Sequence, residues 1–147
     1  MKYFSLPLAI AFTLSAAAVV SAGADRNSDK DKKPTLKLKA SPTIAFSPAR
    51  VVLTGDLTGG TGDSEELYCA AIEWQWGDGT KSNQKADCDP FVAGQSEIKR
   101  HFVADRVFDT SGDYHVTLSL KQKDKVVAVG STLVKIRPGL REGGGGL

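Results

Sequence analysis

The residues that could do chemistry in this chain are few in kind. There are two cysteines, Cys69 and Cys88, two histidines, His101 and His115, and 17 acidic side chains. A cysteine-based metal centre would need more ligands than two thiolates. The sequence has no C-x-x-C and no H-E-x-x-H to supply them. A nucleophile elbow would read G-x-S-x-G, and Gly62-Asp63-Ser64-Glu65-Glu66 lacks its final glycine. Neither histidine has a sequence partner that would make it a base, and Glu65-Glu66 alone does not define a catalytic dyad. Hard-cation chemistry is the one alternative with local support. Asp56 and Asp63 sit in a glycine-rich stretch with free carbonyls, and Asp87 and Asp89 form a second acidic pair, though neither has EF-hand spacing. These stretches read as solvated loops, with Asp56 and Asp63 as weak calcium candidates. No catalytic residue and no cofactor is expected.

What the cysteines do depends on the compartment, and the N-terminus speaks to it. Lys2 is followed by an uncharged apolar run from Phe4 to Val20 and by Ala22-Gly23-Ala24. This is the charged, apolar and small-residue order of a secretory signal peptide over residues 1–24. The run is short for a membrane span and ends in small residues, so stable membrane insertion after cleavage is not expected. An exported chain meets an oxidising environment. The isolated pair Cys69 and Cys88 therefore reads as a disulfide. It would close a loop of about 20 residues and add about 3 kcal/mol of stability. The expected location is secreted or periplasmic. The net charge of +2 gives no electrostatic case for nucleic acid.

The rest of the chain must position these groups. Residues 25–40 are dense in charge and read as a flexible leader. From Ser41 to Ile136 short apolar stretches recur between Gly, Pro, Asp and Ser clusters, the pattern of short strands. Strands are expected at 43–46, 50–54, 68–76, 114–120 and 126–136. Residues 55–63 read as a loop, 121–125 as a polar turn, and Gly130 as a bulge or bend. Residues 92–107 are ambiguous, with room for a short helical turn. This spacing predicts an all-β sandwich of two antiparallel sheets over 41–138. Residues 139–147 read as a glycine-rich flexible tail.

Tyr68 to Trp76 alternates clearly. Tyr68, Ala70, Ile72, Trp74 and Trp76 fall on one face, with Glu73 and Gln75 on the other. The strand runs into Gly77-Asp78-Gly79-Thr80, a tight turn in which Asp78 can accept hydrogen bonds from its own amides. A two-residue Asp78-Gly79 loop would set Cys69 opposite Cys88, close enough to bridge. It would also set Lys81, Asn83 and Lys85 beside the aromatic face, which implies an irregular or edge strand on the return.

The stretch Trp74-Gln75-Trp76-Gly77-Asp78-Gly79-Thr80 is followed later by Phe108, a turn with Gly112, and Tyr114-His115-Val116-Thr117-Leu118. Together these resemble the polycystic kidney disease (PKD) domain, over about residues 41–138. The resemblance implies an immunoglobulin-like antiparallel β-sandwich of about seven strands. Within it Trp74, Trp76, Gly77, Asp78, Gly79, Thr80, Phe108, Gly112, Tyr114 and Val116 are structural signature positions. The family often has a histidine two residues before the aromatic, where this chain has Arg106. The cysteine pair is not a general family feature, and residues 87–106 are longer than usual.

The expected function is a non-catalytic exported module for protein–protein or cell-surface interaction. The alternative is a carbohydrate-binding module for extracellular polysaccharide, assisted by calcium. Sugar stacking by Trp74 and Trp76 competes with a core role that their shared face with Ile72 favours. Phe91 and Phe102 are the aromatics left free for a sugar platform. The expected partner is another exported or surface protein, or a polysaccharide.

Overall fold

The computed structural model describes residues 33–140. The segment expected to be a signal peptide, most of the expected leader and the tail beyond Leu140 lie outside the described residues. In chain order the strands are β1 (Thr35–Ser41), β2 (Ile44–Phe46), β3 (Ala49–Thr58), β4 (Ala71–Gln75), β5 (Lys81–Gln84), β6 (His101–Phe108), β7 (Gly112–Gln122) and β8 (Lys125–Arg137). They form two sheets, β1-β3-β6 and β2-β8-β7-β4-β5. The all-β sandwich is therefore the observed fold, with eight strands among the described residues.

Alternation builds it. Along β3, Ala49, Val51, Leu53 and Leu57 point inward, and Val51 and Leu53 are fully buried. Val116, Leu118 and Leu120 of β7 and Ala128, Val134 and Ile136 of β8 meet them from the opposite sheet. Each fully buried aliphatic side chain contributes roughly 1.5–3 kcal/mol relative to exposure, so this double layer supplies most of the drive to fold. Trp74, Trp76, Phe102 and Phe108 complete the core.

Several sequence expectations shift. The leader does not extend to residue 40. Thr35–Ser41 is a strand whose Leu36 and Leu38 are buried while Lys37 and Lys39 face out. The sandwich thus begins at residue 35 rather than 41. The loop expected from residue 55 is also later. β3 continues through Gly55, Asp56 and Leu57, because Gly55 makes room for the core: a Cβ there would lie 2.6 Å from Leu118 Cδ2. The sheets are not wholly antiparallel, since β2 crosses to the second sheet and runs parallel to β8. Gly130 marks neither a bulge nor a bend. Its missing side chain lets β1 approach, and the ladder irregularity falls between Leu120 and Lys121 instead. At the C-terminal end, Gly139 donates its N–H to Ser47 Oγ at 3.0 Å, so the first residue assigned to the tail is held to the fold. Within 92–107 there is a turn and then β6, and no helix.

Candidate functional site

The two signature motifs meet at one end of the sandwich. Trp76 N–H donates to Thr80 O at 3.1 Å, closing the β4–β5 connection around Gly77, Asp78 and Gly79. Gly77 and Gly79 have φ of 83° and 86°, a region that glycine enters without steric cost. Gly77 also lies against β7, where a Cβ would meet the His115 backbone nitrogen at 2.7 Å. Asp78 Oδ1 accepts from Thr80 N at 2.9 Å and from Thr80 Oγ1 at 2.5 Å. Its Oδ2 accepts from Arg106 Nη2 at 2.6 Å. Arg106 also donates to Thr80 Oγ1 and covers the Trp76 ring, its guanidinium carbon 4.8 Å from the centroid. Burial alone would raise the Asp78 pKa. The Thr80 hydrogen bonds and the Arg106 cation outweigh it and hold the carboxyl at about 2. Arg106 is thus the side chain that ties the turn to β6, two residues before Phe108.

Around this node the aromatics are framework. Trp74 and Trp76 stack with centroids 5.5 Å apart and are 3% and 4% exposed, so neither is a sugar platform. Trp76 Nε1 donates to Ser82 Oγ at 2.9 Å. That bond reports a register one residue from the expected one, because Trp74 faces Ser82 and Glu73 faces Asn83. The connection holds Gly77, Asp78 and Gly79 rather than two residues, and a one-residue slip exchanges the faces. Lys81 and Asn83 accordingly lie on the outer face. Phe108 packs on Tyr114 at 4.5 Å, and Tyr114 donates to Thr110 O at 2.7 Å. Val116 is fully buried, while Gly112 opens β7 as an exposed residue.

The opposite end is built differently. Cys69 and Cys88 form a disulfide with Cα atoms 6.2 Å apart. It joins the β3–β4 connection to residues 85–100, a long irregular segment that carries the chain from one sheet to the other. Both cysteines lie beyond the paired parts of β4 and β5, and Cys69 has φ of 51°. The bridge therefore forms without the regular hairpin register that would have set the two cysteines opposite each other. Five further ties hold the segment. Tyr68 packs against Phe91 with tilted rings, centroids 5.4 Å apart, and donates to Asp89 O at 3.0 Å. Gly94 N–H donates to Asp63 Oδ1 at 2.9 Å. Arg100 Nη1 donates to Gly59 O at 2.8 Å, and Leu57 N–H donates to Arg100 O at 2.8 Å. Leu67, 3% exposed, anchors the β3–β4 connection in the core. Beside it an open cleft of about 680 Å³ lies between Glu65 and Glu66 and the β7–β8 turn, where Lys125 Nζ is 3.3 Å from Glu66 Oε1.

The calcium candidates are employed otherwise. Asp56 lies on β3 with Oδ1 2.8 Å from His101 Nδ1, and Asp63 caps the Gly94 amide. Among the described residues no group of three or more His, Cys, Asp or Glu side chains could hold a metal ion. The sugar candidates fare likewise: Phe102 belongs to the core at 4% exposure, and Phe91 is half-buried against Tyr68. Phe46, at 70% exposure, stands outward on β2. His115 is exposed, as its alternation implied.

Two residues escaped the sequence reading. Arg100 makes its contacts more than forty positions back along the chain, and no local pattern announces them. Glu73 faces outward as expected yet is only 9% exposed. Lys121 Nζ at 2.6 Å and Gln75 Nε2 at 2.9 Å enclose its carboxylate. The Lys121 hydrogen bond is the main cause holding its pKa below the ordinary carboxylate value, followed by that from Gln75.

No family model and no curated protein matches the chain. Solved structures do. It is similar to the PKD domain of an M14-like peptidase from a Thermoplasmatales archaeon. There the TM-score is 0.48 and identity 17%, covering 72% of this chain and 97% of that one. It is also similar to the CARDB domain of a Pyrococcus furiosus protein, crystallised in complex with di-metal ions. The TM-score is again 0.48, identity is 13%, and coverage is 71% and 87%. A solution structure of that domain gives 0.47, 14%, 71% and 94%. The chain is thus similar to PKD and CARDB domains.

Proposed function

We propose that the chain is an exported, non-catalytic module that binds another exported or cell-surface protein through the end stapled by Cys69 and Cys88. The observation that carries this reading is the segment 85–100. It is long, irregular and mostly exposed, yet it is tied down by a disulfide, a ring contact and several hydrogen bonds. A compact domain has little reason to keep so long a connection except for function. Ordering it in advance removes part of the entropy that binding would otherwise cost. The disulfide fits an oxidising compartment, secreted or periplasmic. Among the described residues no helix is long and apolar enough to cross a membrane.

The polysaccharide alternative is weaker, because Phe102 and both tryptophans belong to the core and Phe91 is occupied by Tyr68. One experiment separates the two. The exported chain is sedimented with insoluble cellulose, chitin and peptidoglycan, with and without chelator. In parallel it is crosslinked within the exported protein fraction. The expected result is no sedimentation and a discrete crosslinked protein partner. Sedimentation with one polysaccharide would replace the protein-binding reading, and its loss in chelator would restore the calcium candidates.

A further inference from the structure

Every sheet has two edges, and here three of the four are short or closed. β2 and β5 have three and four residues, too short to template another strand well. β1 closes onto the second sheet, since a Cβ at Gly130 of β8 would lie 2.5 Å from Leu36 O. β6 is different. It has eight residues, with no proline and no lysine, and among the described residues it pairs with β3 alone.

The hydrogen-bond phase says which groups are free. Leu57 N–H donates to Arg100 O, one step beyond the Asp56–His101 pair of the ladder. In an antiparallel ladder the inward-bonding residues alternate. Residues 102, 104, 106 and 108 therefore direct their N–H and C=O toward β3. His101, Val103, Asp105 and Val107 direct theirs away from the sheet. The side chains of these four lie on the exposed outer face, where Val103 and Val107 are 60% and 49% exposed.

We propose that a second copy of this chain pairs antiparallel with β6, about a two-fold axis through Val103, joining two three-stranded sheets into one of six. In this register Val103 faces the partner's Val103, and His101 faces the partner's Asp105. Only outward-directed backbone groups meet. The charges alternate across the joint. Arg50 donates to Asp105 through Nε at 3.0 Å, His101 is 2.8 Å from Asp56, and Asp56 faces Lys37 on β1. The row Arg50, Asp105, His101 of the partner, Asp56 of the partner and Lys37 of the partner places each carboxylate between cationic or hydrogen-donating side chains. An axis through Asp105 would instead set two carboxylates face to face, which disfavours it. An extended peptide from another protein would meet the same backbone groups but would lack this built-in charge match. The surface lies on the β1-β3-β6 sheet and stands whether or not the stapled end binds a partner.

The test is sedimentation of the chain, as exported, over a wide concentration series. The wild type is expected to pass from monomer to dimer. Val103→Pro removes an N–H that faces away from β3, and Val103→Lys sets two ammonium groups together at the axis. Each is expected to weaken the dimer by at least about tenfold, while near-ultraviolet circular dichroism and the disulfide are retained. If Val103→Pro fails to fold, Val103→Lys decides. Val52→Lys, on the same face but inside the sheet, is expected to keep the dimer. A wild type that stays monomeric throughout overturns the proposal. So does a dimer indifferent to both Val103 variants, or one lost equally with Val52→Lys.

Discussion

At one end of the sandwich the chain turns within Gly77, Asp78 and Gly79, and Arg106 locks that turn to β6. At the other end the chain wanders through residues 85–100, held by a disulfide and by contacts between residues far apart in sequence. The first end is closed by local turn chemistry over buried aromatics, with the short turn Gly77, Asp78, Gly79 and Thr80 exposed on it. The second end is closed by cross-links, and leaves most of its length exposed. A tight turn fixes the framework. A stapled loop can vary in sequence while keeping its shape, which is what a binding surface requires.

The comparison can be broken most forcefully at Gly77. Gly77→Ala places a Cβ against the His115 backbone in a left-handed conformation. The expected cost is about 3–5 kcal/mol, and Tm falls by more than about 10 °C in a thermal melt. Replacing both cysteines by serine is expected to cost about 3 kcal/mol. Here the effect should be regional: hydrogen exchange rises across 85–100 and stays slow in β3 and β7. Uniform loosening of both ends would erase the distinction.

Removing the charge lock is milder. Asp78→Asn or Arg106→Gln is expected to cost about 1–2 kcal/mol, and the double variant should cost less than the sum. The Asp78 carboxyl titrates at about 2 when folded, against an ordinary value of 3.8. The lock therefore stabilises the fold fully above the ordinary value. That gain is lost as pH falls from 3.8 toward about 2, and Asp78→Asn flattens this part of the stability–pH curve. The smallest effect is expected at Phe46, which faces Arg137 near the turn end but takes no part in the turn and is 70% exposed. Phe46→Ser should change stability by no more than about 0.5 kcal/mol in chemical denaturation and leave partner capture unchanged.

The two ends also differ in how well the sequence announces them. Trp74 and Trp76 alternate with Glu73 and Gln75, and Gly77-Asp78-Gly79 is turn chemistry, so this end is readable from neighbouring residues. Even there, the register slips by one because the loop length depends on Trp76 N–H reaching Thr80 O. β1 was hidden because Lys37 and Lys39 dominate its composition, although Leu36 and Leu38 already carried the two-residue period. Gly55 read as a turn residue because a glycine that makes room for Leu118 looks no different in sequence. At the stapled end the disulfide followed from export and a lone cysteine pair. The contacts of Arg100, Asp63 and Tyr68 link positions 21 to 41 residues apart and leave no periodic trace.

The central claim is that the stapled end is the binding surface and the turn end is framework. The most direct measurement is crosslinked capture of the same exported partner by the wild type and by the Cys69→Ser, Cys88→Ser double variant, both checked for a folded core by near-ultraviolet circular dichroism. The account predicts that the variant keeps its core signal and loses the partner. Equal capture by both would contradict it, and would move the binding surface away from residues 85–100.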